Sequence, residues 1–138
     1  MTHSRRPGGW SLDDAGPEAF EAMVEAALDA LPDEFRSQLG SVAIVIEDEP
    51  SAAQLQSTGA RGLFGLYQGV PRTVFGATGA QVASKITLFR GPHLRAYRDP
   101  AALVSGVADT VHHEIAHHFG ISDARLAELK REERSGRR

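Results

Sequence analysis

The most informative segment of this chain is His113-Glu114-Ile115-Ala116-His117-His118-Phe119-Gly120-Ile121-Ser122-Asp123. It falls at the end of a predicted helix. Upstream, Asp99 suits the N-cap and Pro100 suits the first helical position, while Gly120 stands where a left-handed C-terminal cap is expected. We therefore predict one helix from Asp99 to about Phe119, whose last turns lie inside the segment.

Hydrophobic periodicity divides this predicted helix into two faces, since each residue advances by about 100°. The apolar stripe, which is expected to face the core, consists of Val104, Ala108, Val111, Ile115 and Phe119. The roughly opposite side carries Gly106, Thr110, His113 and His117. Two histidines are thus predicted one turn apart on a common face that is directed away from the core.

This pair of histidines has the spacing of a metal site, because imidazoles at i and i+4 can bind one ion. Glu114 lies about a quarter-turn from His113, so it can act as general base without being a ligand. A tetrahedral catalytic site needs a third protein ligand and one open position. Gly120 lets the chain turn sharply and brings Asp123 within reach. We expect one zinc ion per chain, with His113, His117 and Asp123 as ligands and Glu114 as catalytic base.

The longer pattern matters, because His-Glu-x-x-His alone is weak evidence. Requiring the glycine and the aspartate makes it roughly two-hundred-fold more specific at average residue usage. Of the neighbouring residues, His118 and His112 are interpreted as structural. Asp109, one turn before His113, is expected either to hold the outer ring nitrogen of that histidine or to be an ordinary exposed acid.

The remaining sequence predicts further helices and strands. A helix starts at Gly16-Pro17-Glu18 and is closed by Pro32, and a last helix covers Asp123 to Glu133. Strands are predicted at Ser41–Glu47, at Leu63–Tyr67 in a short irregular form, and at Ser84–Phe89. The last of these alternates as an edge strand does, with Lys85 as a guard against edge-to-edge pairing.

Length and composition are consistent with one domain in 138 residues. We expect residues 1–15 to form a flexible leader, 16–133 the domain and 134–138 a charged tail. The formal charge of −3 predicts no nucleic-acid partner, and no apolar run is long enough for a membrane span. Cysteine is absent, which excludes disulfides and cysteine-ligated zinc. Without an apolar run after the N-terminal arginines the expected location is cytoplasmic. A homodimer is left open.

Beyond the metal segment, the chain resembles the small bacterial mini-zincin family, zincin metallopeptidases with aspartate as third ligand. The similarity extends from about Phe20 to Leu129. It includes Leu31-Pro32-Asp33-Glu34-Phe35, Val45-Ile46-Glu47-Asp48-Glu49-Pro50, Gly65-Leu66-Tyr67-Gln68-Gly69-Val70-Pro71, Ile86-Thr87-Leu88-Phe89-Arg90-Gly91-Pro92 and the metal segment.

The resemblance implies an α+β fold, a minimal zincin-like domain in which a small mixed sheet packs on an N-terminal helix and an active-site helix. An edge strand would be positioned to pair with an extended peptide. The resemblance assigns His113, His117 and Asp123 as zinc ligands and Glu114 as the base.

One departure concerns the methionine turn that larger metzincins place beneath the metal. The methionines here, Met1 and Met23, both lie far upstream. The residue that would stabilise an oxyanion is therefore not identified from the sequence. Candidates for a polar contribution are Tyr67, His93, Arg95 and Tyr97.

The leading functional hypothesis is a zinc-dependent metallopeptidase that cleaves a peptide or protein substrate. The main alternative is a non-catalytic zincin-fold protein whose metal is structural, weakly bound or missing. Zinc-dependent hydrolysis of a non-peptide amide also remains open. A di-iron carboxylate protein would need a second Glu-x-x-His pair on another helix, and the sequence contains none.

Overall fold

The structure is a computed structural model that describes residues 16–40, 42–58, 63–69 and 84–136. The expected leader, residues 1–15, lies outside these ranges. Within them, six helices and one three-stranded sheet form an α+β domain. No helix in the described part of the chain has the length and apolar character to cross a membrane.

The N-terminal helix, α1 (Pro17–Asp29), begins as predicted, with Pro17 at its first position. It buries Phe20, Val24 and Ala27 along one stripe, and this stripe packs on the long helix described below. A single turn, α2 (Asp33–Arg36), follows. It places Phe35, 7% exposed, at the end of the same core.

The sheet contains β1 (Val42–Glu47), β2 (Gly65–Gln68) and β3 (Ser84–Phe89) in the order β1-β3-β2. β1 is parallel to β3, and β2 is antiparallel to it. The expected small mixed sheet is thereby confirmed. Ile86 and Leu88 of β3 enter the core, together with residues of α1 and of the long helix.

The prediction that Ser84–Phe89 is an edge strand was wrong. β3 is the central strand, and Lys85 pairs with Ala43 on one side and Gln68 on the other. Alternation of polar and apolar residues indicated one solvated face. In the structure two of the polar residues of this strand are buried as well: Ser84 is 3% exposed and Thr87 is fully buried.

Two further short helices were not predicted, α3 (Ala52–Thr58) and α4 (Arg90–Ala96). Gly91 and Pro92 lie shortly after the end of β3. In the structure these residues form the first turn of α4, and the Gly91 N–H donates to the Asp48 carbonyl at 2.8 Å. A Cβ on residue 91 would collide with that carbonyl, so this docking depends on the glycine.

The long helix, α5 (Pro100–Phe119), confirms the predicted element at both ends. The Asp99 side chain accepts a hydrogen bond from the Ala102 N–H at 2.8 Å, and Gly120 adopts the left-handed conformation with φ 70°. The last helix, α6 (Asp123–Gly136), extends beyond the expected end at Glu133 into the region assigned to the tail.

The faces of α5 were only partly predicted. Val104, expected in the core, is 47% exposed, whereas Gly106 and Thr110, expected on the outer side, are buried. The reason is that α5 packs against α1 and also against β2 and β3, so the buried arc is wider than one apolar stripe. The arc is centred on Leu103, Val107, Val111 and Ile115.

Candidate metal centre

The two spaced histidines lie on the exposed side of the last turns of α5, as the helical periodicity predicted. His113 and His117 are both exposed, although the three residues between them and His118 after them are buried. The helix then stops sharply. The Ile121 N–H donates to the Ala116 carbonyl at 3.0 Å across the left-handed Gly120, and this closing bond is typical of a Schellman cap.

The turn after Gly120 directs the start of α6 back toward α5. The Ser122 hydroxyl accepts the Arg125 N–H at 3.0 Å and so caps α6. Asp123, in the first turn of α6, reaches His113, whose Nδ1 lies 2.9 and 3.1 Å from the two carboxylate oxygens. This hydrogen bond raises the pKa of His113. The structure thus brings together the first histidine of the motif and the aspartate ten residues later.

Asp109 was expected either to support His113 or to be an ordinary exposed acid. The hydrogen bond at Nδ1 of His113 is made with Asp123, and Asp109 is exposed. His112 has a definite structural role: its Nε2–H donates to the Ala27 carbonyl at 2.8 Å, and the Lys130 ammonium donates to its Nδ1 at 2.8 Å. His112 therefore links α1, α5 and α6.

Glu114 is the buried acid of the motif. Its side chain is 7% exposed and lies beneath β2, where a Cβ added to Gly65 would be 3.3 Å from the Glu114 Cγ. Burial raises the pKa of this carboxyl, while His113 and His117 act in the opposite direction and Asp123 adds to the increase. A partly desolvated carboxyl with a raised pKa, beside two imidazoles, has the properties of a proton acceptor and donor.

The ring of His117 packs against Tyr67 of β2, with a distance of 5.2 Å between the ring centroids. The neighbouring His118 points inward and is 1% exposed, with its Nδ1 3.0 Å from the Tyr67 hydroxyl. The interpretation of His118 as structural is consistent with this position. The contact between Tyr67 and the motif depends on pairing of β2 with β3, so the sequence pattern gave no direct signal of it.

The other polar candidates are engaged elsewhere. His93 is fully buried, with Nδ1 2.7 Å from the Phe89 carbonyl and Nε2 2.9 Å from the Thr110 hydroxyl. Arg95 makes a bidentate ion pair with Glu49, with N–O distances of 2.7 and 3.0 Å. The Tyr97 ring packs on Gly106, where a Cβ would collide with it. None of these contacts involves the two exposed histidines.

The donor set of this region suits zinc. Two imidazoles and one carboxylate are common zinc ligands, and neighbouring ligand atoms of a tetrahedral zinc ion are about 3.3 Å apart. His113 Nδ1 and the nearer Asp123 carboxylate oxygen are 2.9 Å apart, at hydrogen-bond distance, so these two groups already face each other. Among the described residues, however, no three His, Asp or Glu side chains converge closely enough to enclose an ion. His117 is a neighbour of the pair, but its ring packs against Tyr67.

The whole segment lies within a match to a sequence model of the zincin-like metallopeptidase family, which covers residues 39–133 of the 138. The chain belongs to this family. The match begins just before β1 and ends within α6, so it includes the sheet, the long helix and every candidate site residue. Zincin-like metallopeptidases are hydrolases that bind zinc and act on peptides. No curated protein matches the chain.

Proposed function

We propose that this zincin-like chain is a zinc-dependent peptidase with one zinc ion per chain. His113, His117 and Asp123 would hold the ion, and Glu114 would be the general base. The observation that carries the proposal is the position of Glu114. It is a buried carboxyl whose charge interacts with those of His113, His117 and Asp123.

Zinc, when bound, supplies a Lewis acid that polarises the scissile carbonyl and makes a water molecule more acidic. Glu114 would accept a proton from the attacking water and donate it to the leaving amine nitrogen. Burial beneath β2 raises the pKa of Glu114 and makes it a stronger base toward the water. The protonated carboxyl can still pass its proton to the leaving amine, which is a much stronger base than a carboxylate. His113 and Asp123 are solvent-accessible, with 59% and 65% of their side chains exposed, so an ion can reach them from water.

The proposal is tested with zinc-loaded protein and an unfolded polypeptide as substrate. Glu114→Gln preserves the shape of the side chain but removes its basicity, and we expect it to abolish turnover while zinc is retained. Glu25→Gln is the matched control, because Glu25 is exposed on α1. Equal cleavage by the wild type and by Glu114→Gln would exclude Glu114 as the base.

Metal content tests the ligands separately. We expect one zinc ion per wild-type chain, and markedly less in His113→Ala and Asp123→Ala. The alternative, a non-catalytic zincin-fold protein, is favoured by the lack of a preassembled cluster of three ligands in the described residues. An empty site in wild-type protein purified with excess zinc would select this alternative.

A further inference from the structure

Tyr67 contacts both histidines at the end of α5. Its ring centroid is 5.2 Å from that of His117, with an interplanar angle of 41°, and 5.6 Å from that of His118 in an edge-on arrangement. His117 is exposed and His118 is buried. One aromatic ring therefore lies between the solvent-facing histidine and the interior.

The hydroxyl of Tyr67 is held on the interior side. It lies 3.0 Å from His118 Nδ1 and 3.2 Å from the Ser84 hydroxyl. His118 is 1% and Ser84 3% exposed, so both partners are buried. With two buried hydrogen-bond partners, the hydroxyl is not directed toward solvent or toward the His113–Asp123 pair.

The backbone of β2 supports this arrangement. Gly69 follows the strand with a φ of 138°, a conformation that strongly favours glycine. A Cβ on residue 69 would be 2.8 Å from the Ser84 hydroxyl oxygen. The glycine thus allows the end of β2 to lie close against Ser84, where Tyr67 finds its hydrogen bonds.

We infer that Tyr67 is a positioning residue for His117. An exposed imidazole normally exchanges among staggered rotamers, and a fixed ring against one of its faces favours one of them. Ordering a ligand before binding reduces the cost of binding. The role of His117 as a zinc ligand rests on the proposed function, but the effect of Tyr67 on the His117 ring does not.

Zinc affinity, measured by competition with a chelator, tests the inference in the whole protein. Tyr67→Phe keeps the ring but removes both hydrogen bonds, and Tyr67→Leu removes the ring as well. Loss of a residue that orients a ligand typically weakens metal binding about 10- to 100-fold. We expect a loss in this range for Tyr67→Leu and a smaller one for Tyr67→Phe. Tyr97→Phe is the control, because Tyr97 packs on Gly106 instead.

NMR of the histidine rings in metal-free protein separates this inference from the proposed function. The His117 signal, assigned with His117→Gln, should be displaced by the Tyr67 ring current in the wild type and should return toward the free-histidine position in Tyr67→Leu. Unchanged His117 signals in Tyr67→Leu, or zinc affinities equal to that of Tyr97→Phe, would overturn the inference. If wild-type protein bound no zinc, the proposed function would fail, and the ring signals alone would decide the role of Tyr67.

Discussion

Gly65→Ala is expected to destabilise the domain through a contact between β2 and α5. A Cβ at this position would be 2.8 Å from the Thr110 Cγ2, 3.3 Å from the Glu114 Cγ and 3.3 Å from the Thr87 carbonyl oxygen. The first distance is too short for two carbons. Either β2 must move away from the helix or Thr110 must rotate.

Rotation of Thr110 is costly because its hydroxyl is engaged twice. It lies 3.1 Å from the Gly106 carbonyl oxygen and 2.9 Å from Nε2 of the buried His93. Each buried hydrogen bond contributes about 0.5–1.5 kcal/mol. Overpacking of a tight interior usually costs about 1–3 kcal/mol. We therefore expect the free energy of unfolding to fall by about 1–3 kcal/mol.

Urea denaturation measures this change as a shift in the midpoint at constant slope. The control is Gly40→Ala, since a Cβ at Gly40 meets no atom within 4 Å. Combining Gly65→Ala with Thr110→Ser tests the mechanism, because serine keeps the hydroxyl and lacks the clashing methyl. The double variant should be more stable than the sum of the two single changes predicts. If Gly65→Ala were as stable as Gly40→Ala, the inferred close packing of β2 on α5 would be wrong.

Three further predictions follow from other contacts. Asp99→Ala removes the cap on the Ala102 N–H and should cost about 0.5–2 kcal/mol in thermal or urea unfolding, with most of the loss restored by Asp99→Ser. Burial lowers the pKa of His93 below its ordinary 6.5, so as the pH falls this histidine is protonated in the unfolded chain before it is protonated in the folded one. The stability that neutral His93 contributes should be complete above its ordinary pKa and should be lost as the pH falls through the folded-state pKa. Urea unfolding at several pH values should show a smaller dependence in His93→Gln, and an unchanged dependence would contradict this. Zinc at 100 times its dissociation constant should stabilise the wild type by about 2.7 kcal/mol in thermal unfolding, and His117→Ala should lose most of this gain.

Local signals in the sequence were sufficient for the long helix. Asp99 and Gly120 determine its ends through contacts within a few residues, so both could be recognised without knowledge of the fold. The exposure of His113 and His117 followed from the same helical periodicity. The family was recognised by the resemblance of the metal segment and several other segments to the mini-zincin family, and the match over residues 39–133 confirms it.

Features that depend on distant partners were missed. The central position of β3 is set by pairing with β1 and β2, and the buried state of Thr87 comes from the layers around it. Gly106 is covered by the Tyr97 ring, which occupies the space that a side chain on residue 106 would need. The contact of Tyr67 with His117 joins residues fifty positions apart. Hydrophobic periodicity describes one helix or strand at a time, so it contains no information on contacts between different elements.

The turn between α5 and α6 couples the His113–Asp123 pair to the far end of α6. Asp123 begins α6, and the far end of that helix is fastened to α2, where the Glu133 carboxylate accepts the Asp33 N–H at 2.8 Å. An ion that bridges His113 and Asp123 would also stabilise the packing of α6 on the domain. Because coupling between two sites is reciprocal, more stable packing of α6 would raise the affinity for the ion. A substitution at Glu133 does not touch the His113–Asp123 pair, but by changing how α6 packs it would also change the affinity for the ion.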